Sequence, residues 1–360
     1  MQAAARELAP DHRIRHCLRA VIPHKDCVEV WLSEASRKAY YMNLMCCGAV
    51  WVCPVCAAKI SERRRTRLDT ALNVTDRLPI VQSDGTARIV LAPRYYLSMA
   101  TFTIRHHQGE SAREVIRRLK AVYKATWSGR YALWFKQTYR VVGTIRAIEL
   151  THGQHGWHPH YHLLMIRESA NTENTVKAMD LELSLRWLDM CESVGASATL
   201  EHGVKVSAGD NRAHEYLDKL GQSVGEAINR WALTAEMTKY VVKHGRQDSR
   251  TMWDLLIAYT GHDVKAGELW IEGINALKGT AHLRTSNGLW KLLGINGIDA
   301  KDETLAGDVQ NAADGLLARL TLSQWQTVIR VNARGRLLQI AQDGGEIDAY
   351  IKGMEKIRES

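Results

Sequence analysis

Hydrophobic and polar residues follow two different periods between residues 95 and 211. Strict alternation predicts β-strands, and apolar residues spaced three and four apart predict helices. The predicted elements are a strand at 95–104, a helix at 111–127, strands at 139–151 and 158–166, a helix at 174–194, a strand at 198–206 and a helix from 211. This order predicts an α+β fold, with a mostly antiparallel central sheet flanked by helices.

The patterns on either side of this region are different. Val28–Leu32 and Lys38–Met42 are rich in β-forming residues and predict a β-hairpin, and residues 57–72 predict a helix with a dense basic side. Residues 75–95 contain two prolines and a glycine and predict a linker or an irregular edge. Residues 270–360 predict mostly helical segments separated by glycines.

Three domains are expected from these changes of pattern. They are an N-terminal module with its basic helix at 1–75, the α+β domain at 90–260 and a mostly helical region at 261–360.

The overall composition of the 360 residues is that of a globular protein, with 46% hydrophobic and 24% charged residues. It excludes collagen-like and wholly disordered chains. Lys and Arg exceed Asp and Glu by 48 to 39, and this excess favours a polyanionic partner. No uncharged apolar run is long enough for a membrane span, and the charged N-terminus is unlike a signal peptide, so we expect a cytoplasmic protein without a membrane partner.

Six of the seven cysteines lie within the first 56 residues, which favours metal binding over disulfides. The sharpest pattern is Cys47-Gly-Ala-Val-Trp-Val-Cys53-Pro-Val-Cys56. Zn²⁺ prefers four ligands in a tetrahedron, so one further ligand is needed. The sequence leaves that ligand open among His16, Cys17, His24, Cys27 and Cys46. The basic helix that follows this knuckle is either a solvated helix face or a contact for DNA phosphates, and its position favours the second interpretation.

A second metal site is predicted at the pair of strands that follows residue 139. Alternate residues of a strand share a face, so His160 and His162 point the same way. If the turn centres on Gln154 and His155, Glu149 lies directly across from His160. Two imidazoles and a carboxylate suit Mn²⁺ or hydrated Mg²⁺ and leave positions for a phosphate. The alternative interpretation is a surface loop that is rich in histidine.

A tyrosine and a lysine with helical spacing are the candidate nucleophile and the cation that assists it. Tyr216 and Lys219 share one face of the helix predicted from residue 211. A nearby ammonium favours the phenolate and can neutralise a phosphate. The same spacing recurs at Tyr240 and Lys243, so the motif alone does not select one tyrosine.

These motifs together resemble the replication initiator (Rep) proteins of rolling-circle plasmids, within the HUH endonuclease superfamily. Cys47–Ile60, the Gly156–Leu164 stretch Gly-Trp-His-Pro-His-Tyr-His-Leu-Leu and the Tyr-x-x-Lys helix occur in the family's order. The resemblance covers residues 15–260. It implies a central antiparallel HUH-type sheet and an N-terminal zinc-binding module.

The resemblance also implies residue roles. His160 and His162 would bind the catalytic divalent ion, with Glu149 as the acidic ligand. Cys17 would be the fourth zinc ligand, because the segment before the hairpin is similar to the family's upstream cysteine. His158 would support the metal site from the same face of its strand.

The layout around Tyr216 favours it over Tyr240 as the nicking tyrosine. Some family members carry a glutamate four residues before that tyrosine. Here Arg212 precedes Tyr216 at this distance, whereas Glu236 precedes Tyr240, so Tyr240 stays a candidate.

The activity implied by the family is a metal-dependent nick in one strand of the replication origin. A tyrosine makes the nick, forms a 5′-phosphotyrosine and leaves a free 3′-OH. The strand is later rejoined. The partners implied are single-stranded and hairpin origin DNA, a host helicase and host replication proteins. Two alternatives are an HUH transposase or relaxase, and a non-catalytic, zinc-containing DNA-binding regulator. The strand that carries His160 and His162 has no role in the last alternative.

Overall fold

The computed structural model of the chain describes residues 1–72, 75–81, 87–208, 249–294, 302–307 and 312–359. Contacts group the chain into two units, one formed by Met1–Leu8 with Val50–Ala300 and the other by Ala9–Ala49 with Lys301–Ser360. The three-domain division drawn from the sequence, with bounds near 75, 90 and 260, stays a prediction.

The elements are numbered in chain order. They are α1 (Gln2–Leu8), a 3-10 helix (Arg13–His16), β1 (Cys27–Leu32), β2 (Ala39–Met42), α2 (Pro54–Leu72), β3 (Thr75–Val81), β4 (Ala87–Pro93), β5 (Tyr96–Thr103), α3 (Ala112–Thr126), α4 (Gly129–Thr138), β6 (Val141–Gly153), β7 (Gly156–Arg167), α5 (Glu173–Ser193), β8 (Val204–Ala208), β9 (Ser249–Thr251), α6 (Met252–Thr260), α7 (Val264–Leu277), β10 (Leu283–Thr285), α8 (Leu289–Leu292), α9 (Asp302–Ala306), β11 (Gly315–Thr321), α10 (Leu322–Arg330), α11 (Arg334–Gln342) and α12 (Ile347–Glu359).

The larger unit is built on an antiparallel sheet in the order β10-β6-β7-β5-β8, with β9 paired to one end of β6. The fold therefore mixes helices with antiparallel sheets, as the element pattern predicts. The strands predicted at 95–104, 139–151 and 158–166 are confirmed as β5, β6 and β7. The helices predicted at 111–127 and 174–194 are confirmed as α3 and α5.

The hairpin of β6 and β7 has its turn at residues 154 and 155, because Gly153 pairs with Gly156. Gly156 has a φ of 88°, a region that favours glycine, and an added Cβ would lie 3.2 Å from the carbonyl oxygen of His107. This turn sets the pairing of the two strands from Gly153 and Gly156 back to Gly143 and Ile166, where the register shifts. The register assumed from the sequence, with Glu149 across from His160, is confirmed.

The two faces of this sheet pack against different elements. On one face, Phe102, Tyr123 of α3 and Tyr161 form an aromatic cluster, with ring centroids 5.7 Å apart for Phe102 and Tyr123 and 4.9 Å apart for Tyr123 and Tyr161. On the other face, a core cluster includes Ala147 and Leu164, together with Leu68 of α2. The ladder is thus fixed by burial on both sides.

The smaller unit has its own core. Its sheet has the order β11-β1-β2, so the β-hairpin predicted at 28–42 is confirmed and gains a third strand from residues 315–321. The helices α10, α11 and α12 belong to the same unit. The core includes Val28, Val30, Leu320, Trp325 and Leu337, all fully or almost fully buried.

Some predictions drawn from the sequence differ from the structure. Residues 75–95 are not an irregular linker, because β3 and β4 form an antiparallel ladder. Pro79 is compatible with this ladder, since both strands of a two-stranded sheet are edges. The mostly helical pattern after residue 270 also contains β10 and β11, and the strand predicted at 198–206 begins only at Val204. The helix predicted from residue 211 lies outside the described residues.

Within the part of the chain that the structure describes, no helix has both the length and the low polarity that a membrane crossing requires.

Candidate metal centres

Glu149, His160 and His162 converge on one face of the β6–β7 hairpin. The Oε2 atom of Glu149 lies 2.5 Å from Nε2 of His160 and 3.0 Å from Nε2 of His162. One ligand atom from each residue lies within 4.8 Å of the other two. The three side chains are therefore close enough to hold a single metal ion.

The strand geometry explains why these three side chains meet. Glu149 is paired with His160, and His162 is paired with Ala147, so all three side chains share one face of the sheet. Ala147, directly across from His162, is a small residue and leaves room for the imidazole beside Glu149. The two imidazole centroids lie 4.8 Å apart.

A hydrogen bond from the neighbouring strand orients His162. Thr101 of β5 is paired directly with His162, and its Oγ1 lies 3.2 Å from Nδ1 of the imidazole. In the hydrogen bond to Glu149, Nε2 of His162 is the donor. With a metal ion bound instead, a proton on Nδ1 would be donated to Thr101 Oγ1, and the Nε2 lone pair would be available to the ion. Partners of this kind fix the tautomer of metal-binding histidines. The sequence pattern did not predict this contact, because it depends on the pairing of β5 with β7.

The carboxyl of Glu149 is held in its charged form. Burial on its own would raise the pKa of Glu149, but the hydrogen bonds from His160 and His162 outweigh that effect and lower the pKa well below its usual value. A carboxylate that stays charged and neutral imidazoles are the states in which these groups bind metal.

The site is partly open to solvent. The side chains of His160 and His162 each keep 15% of their area exposed, and that of Glu149 keeps 20%. Three protein ligands with mixed nitrogen and oxygen atoms suit Mn²⁺ or hydrated Mg²⁺ and leave positions for water or substrate. A metal ion held by these three residues would therefore keep coordination positions open to solvent.

Two further histidines lie beside this group. His158 is on the same face of β7, and its ring centroid lies 5.3 Å from that of His160 and 4.7 Å from that of His106. Burial, together with the neighbouring rings, lowers the pKa of His158 to about 4, so this ring is neutral near pH 7. His106, which the sequence did not single out, also contacts the carbonyl oxygen of His155 at 3.1 Å.

Four cysteines form the second group. The sulfur atoms of Cys17, Cys47, Cys53 and Cys56 all lie within 4.8 Å of one another, and each residue is buried. Four buried thiols arranged in this way can bind zinc in a closed, structural site. Among the open candidates for the fourth ligand, the structure brings Cys17 to the group.

The local structure explains how Cys53 and Cys56 are presented. α2 begins at Pro54, whose missing N–H costs nothing in a first helical turn, and Ala57 donates to the carbonyl oxygen of Cys53. Both sulfurs therefore lie at a helix N-terminus, where the helix dipole favours thiolates. Gly48 has a φ of 59°, which lets the chain turn directly after Cys47.

Tyr216, Lys219, Tyr240 and Lys243 lie outside the described residues, as do Arg212 and Glu236. Their roles stay predictions.

No protein-family model matches the chain, and no solved structure matches it. Two curated relatives do. Over 162 residues, the chain is 30% identical to "Protein rep" of Streptomyces lividans, a match that covers 37% of this chain and 32% of that protein. It is 25% identical over 162 residues to "Neomycin resistance protein" of Streptomyces cyanogenus, with 38% and 34% covered. The chain spans about a third of the length of the curated relatives it matches.

This chain is thus similar, over part of its length, to a protein named for replication.

Proposed function

We propose that this chain is an HUH-type initiator of rolling-circle replication, which nicks one DNA strand at the origin through a tyrosine. The observation that carries the proposal is the convergence of Glu149, His160 and His162 on an accessible face of the sheet. The partial similarity to "Protein rep" favours an initiator over a transposase or a relaxase with the same chemistry. A non-catalytic regulator would not need this group.

The residues of the metal centre would hold the divalent ion, and Thr101 would keep His162 in the correct tautomer. When bound, such an ion supplies positive charge to the scissile phosphate and to the oxygen that leaves. Glu149 contributes the negative charge that balances the ion, and the neutral ring of His158 adds no further positive charge.

The tyrosine carries out the bond exchange. The phenolate oxygen of Tyr216 attacks phosphorus, the bond from phosphorus to the 3′-oxygen breaks, and that oxygen takes up a proton as the free 3′-OH. Lys219 favours the phenolate and neutralises the phosphate. The 5′-phosphotyrosine keeps the energy of the phosphodiester, so the strand can later be rejoined without ATP.

Other parts of the proposal concern partners. Single-stranded and hairpin origin DNA would be the substrate, and a host helicase and host replication proteins would be the partners. The basic helix α2 begins at Pro54, within the cysteine group, and would contact DNA phosphates. Zinc at the cysteine group would have a structural role.

Labelled single-stranded DNA tests the proposal. The substrate is a library of oligonucleotides with a hairpin and a randomised flank, labelled at either end and incubated with Mn²⁺ or Mg²⁺. A 3′ label should become covalently linked to the protein, and a 5′ label should appear in a shorter free fragment that a polymerase can extend.

Two matched variants test whether formation of the adduct depends on the metal site. His162→Ala should abolish the adduct, whereas His155→Ala, at the exposed turn of the same hairpin, should keep it. An adduct of normal yield with His162→Ala would refute the metal assignment. DNA binding by the wild-type protein with no adduct for any member of the library would favour the non-catalytic regulator.

A further inference from the structure

A cluster of positive side chains lies on the sheet face opposite to the metal ligands. Arg146 and Glu149 are three residues apart on β6, so their side chains point to opposite faces. Arg146 is paired directly with Arg284 of β10. Like charges directly across an antiparallel pair are destabilising. The arrangement therefore has a cost that the fold on its own does not explain.

These two arginines line a cavity of about 510 Å³, which we call the arginine cavity. Lys136 is the third cation of its lining, and no carboxylate is among the lining residues. Within the described part of the chain, Arg146, Arg284 and Lys136 form no ion pair with an acidic side chain. The volume is in the usual range for a small-molecule site.

Aromatic rings hold Arg146 in place. Its guanidinium carbon lies 4.5 Å from the centroid of Tyr123 and 4.4 Å from that of Tyr161. Stacking of this kind stabilises the cation and leaves the edge of the guanidinium group able to donate hydrogen bonds. The side chain is therefore both charged and oriented before any ligand arrives.

Further donors belong to the same cavity. Ser286 Oγ accepts a hydrogen bond from the backbone N–H of Thr144 at 3.0 Å, so its own proton can be donated. Trp127 also belongs to the lining, and its buried indole N–H has no acceptor within the described residues. The surroundings are positive enough to affect Lys120, whose pKa is lowered first by burial and then by the charges of Arg146 and Arg284.

We propose that the arginine cavity binds a phosphate group of a nucleotide. Arginine donors match a phosphate in two-point geometry, and the aromatic lining suits an attached base or sugar. The shared chemistry is a nucleotide phosphate, which can belong to a DNA strand or to a free mononucleotide. The site is on the opposite face from the proposed catalytic centre, so it does not depend on the nicking reaction.

Binding of a fluorescein-labelled oligothymidylate to the full chain tests this proposal, by fluorescence anisotropy in buffer without added magnesium or manganese. Arg284→Gln removes an exposed side chain, so the fold should be kept, and far-UV circular dichroism checks this. We expect about tenfold weaker binding and a salt dependence reduced by about one phosphate contact. Arg113→Gln removes the same charge from an exposed position on α3 outside the cavity and should change binding by less than about twofold.

Calorimetric titration with thymidine 5′-monophosphate distinguishes the two sources of phosphate. If Arg284→Gln weakens binding of both probes, the cavity accepts a free nucleotide. If it weakens only the oligonucleotide, the ligand is a phosphate within a strand. Equal binding of both probes by Arg284→Gln and Arg113→Gln would overturn the proposal. Since neither readout requires nicking, failure of the proposed function would leave these results unchanged.

Discussion

Glu149 lies directly across the β6–β7 hairpin from His160, with Oε2 of the carboxylate 2.5 Å from Nε2 of the imidazole. His162 completes the group from two residues further along β7. Because all three residues come from one hairpin with a two-residue turn, their relative positions depend mainly on local strand register. The group can therefore be tested by single substitutions that leave the rest of the sheet in place.

Removal of the Thr101 hydroxyl should weaken metal binding without removing a ligand. Thr101→Val keeps the side-chain shape but loses the contact to Nδ1 of His162, so the correct tautomer is no longer favoured. We expect about a tenfold loss of Mn²⁺ affinity by calorimetry. Thr103→Val is the matched control, since Thr103 is paired with His160 on the same face of β5. Equal losses for both variants would show that the hydroxyl of Thr101 does not orient His162.

Substitution of one buried cysteine should release zinc. Cys53→Ser removes one of four thiol ligands, and because metal binding is coupled to folding, we expect loss of about one equivalent of zinc and a lower melting temperature. Elemental analysis and thermal unfolding measure the two effects. Cys46→Ser, next to Cys47 in sequence but outside the four-sulfur group, should retain the metal. A wild-type protein that contains no tightly bound zinc would contradict the prediction.

The ion pair of Glu110 and Arg118 should make stability depend on acidity. The hydrogen bond from Arg118 to Glu110 lowers the pKa of Glu110 from 4.5 to about 2 in the folded protein. Because the pKa of Glu110 is lower in the folded state, the ion pair stabilises the fold fully at pH values above about 4.5, the pKa of the unfolded chain. This stabilisation is lost as the pH falls from about 4.5 to about 2. After allowance for solvent screening at these partly exposed side chains, Glu110→Gln should cost about 1–2 kcal/mol at pH 7.

Urea unfolding at neutral pH and at about pH 3 measures this difference, which should be clearly smaller at the lower pH. Glu192→Gln, at an exposed position of α5, is the control and should change stability little at either pH. A cost for Glu110→Gln that does not change with pH would exclude the ion pair as its source.

The nucleophile is best identified by paired phenylalanine substitutions. Tyr216→Phe keeps the ring but removes the only oxygen that can attack phosphorus, so the covalent DNA adduct should vanish while stability changes little. Tyr240→Phe should still form the adduct, and Lys219→Ala should slow its formation. Mass spectrometry of the adduct peptide identifies the linked residue. An adduct that survives in Tyr216→Phe and disappears in Tyr240→Phe would assign the reaction to Tyr240.

The parts of the fold that the sequence predicted correctly depend on local signals. The hairpin of β6 and β7 follows from alternation on both sides of a short turn, and its register places Glu149 opposite His160. The helix α3 follows from apolar spacing and from Ser111, whose side chain caps the helix by accepting from the backbone N–H of Glu114. Each of these signals lies within a few residues of the element that it specifies.

The parts that the sequence did not predict depend on distant partners. β10 has only three residues and is a strand because it pairs with residues 145–147. Similarly, Thr101 contacts His162 only because β5 lies next to β7 in the sheet. The β3–β4 ladder is a different case, because its partners are only five residues apart; there the prolines and the glycine suggested an irregular segment although the residues around them pair as strands. Pairing between separate strands has no signature within a single window of sequence.

The pairing of β1 with β11 affects how the smaller unit can form during synthesis. Cys27 is paired with Thr321, so nearly three hundred residues must be made before β1 meets this neighbour. Until then Val28 and Val30 lack the apolar cover that Leu320 provides. The closure of so long a loop is slow compared with local hairpin formation. The β1–β2 hairpin therefore spends most of translation as an exposed sheet edge, a state in which chaperone binding would protect it from aggregation.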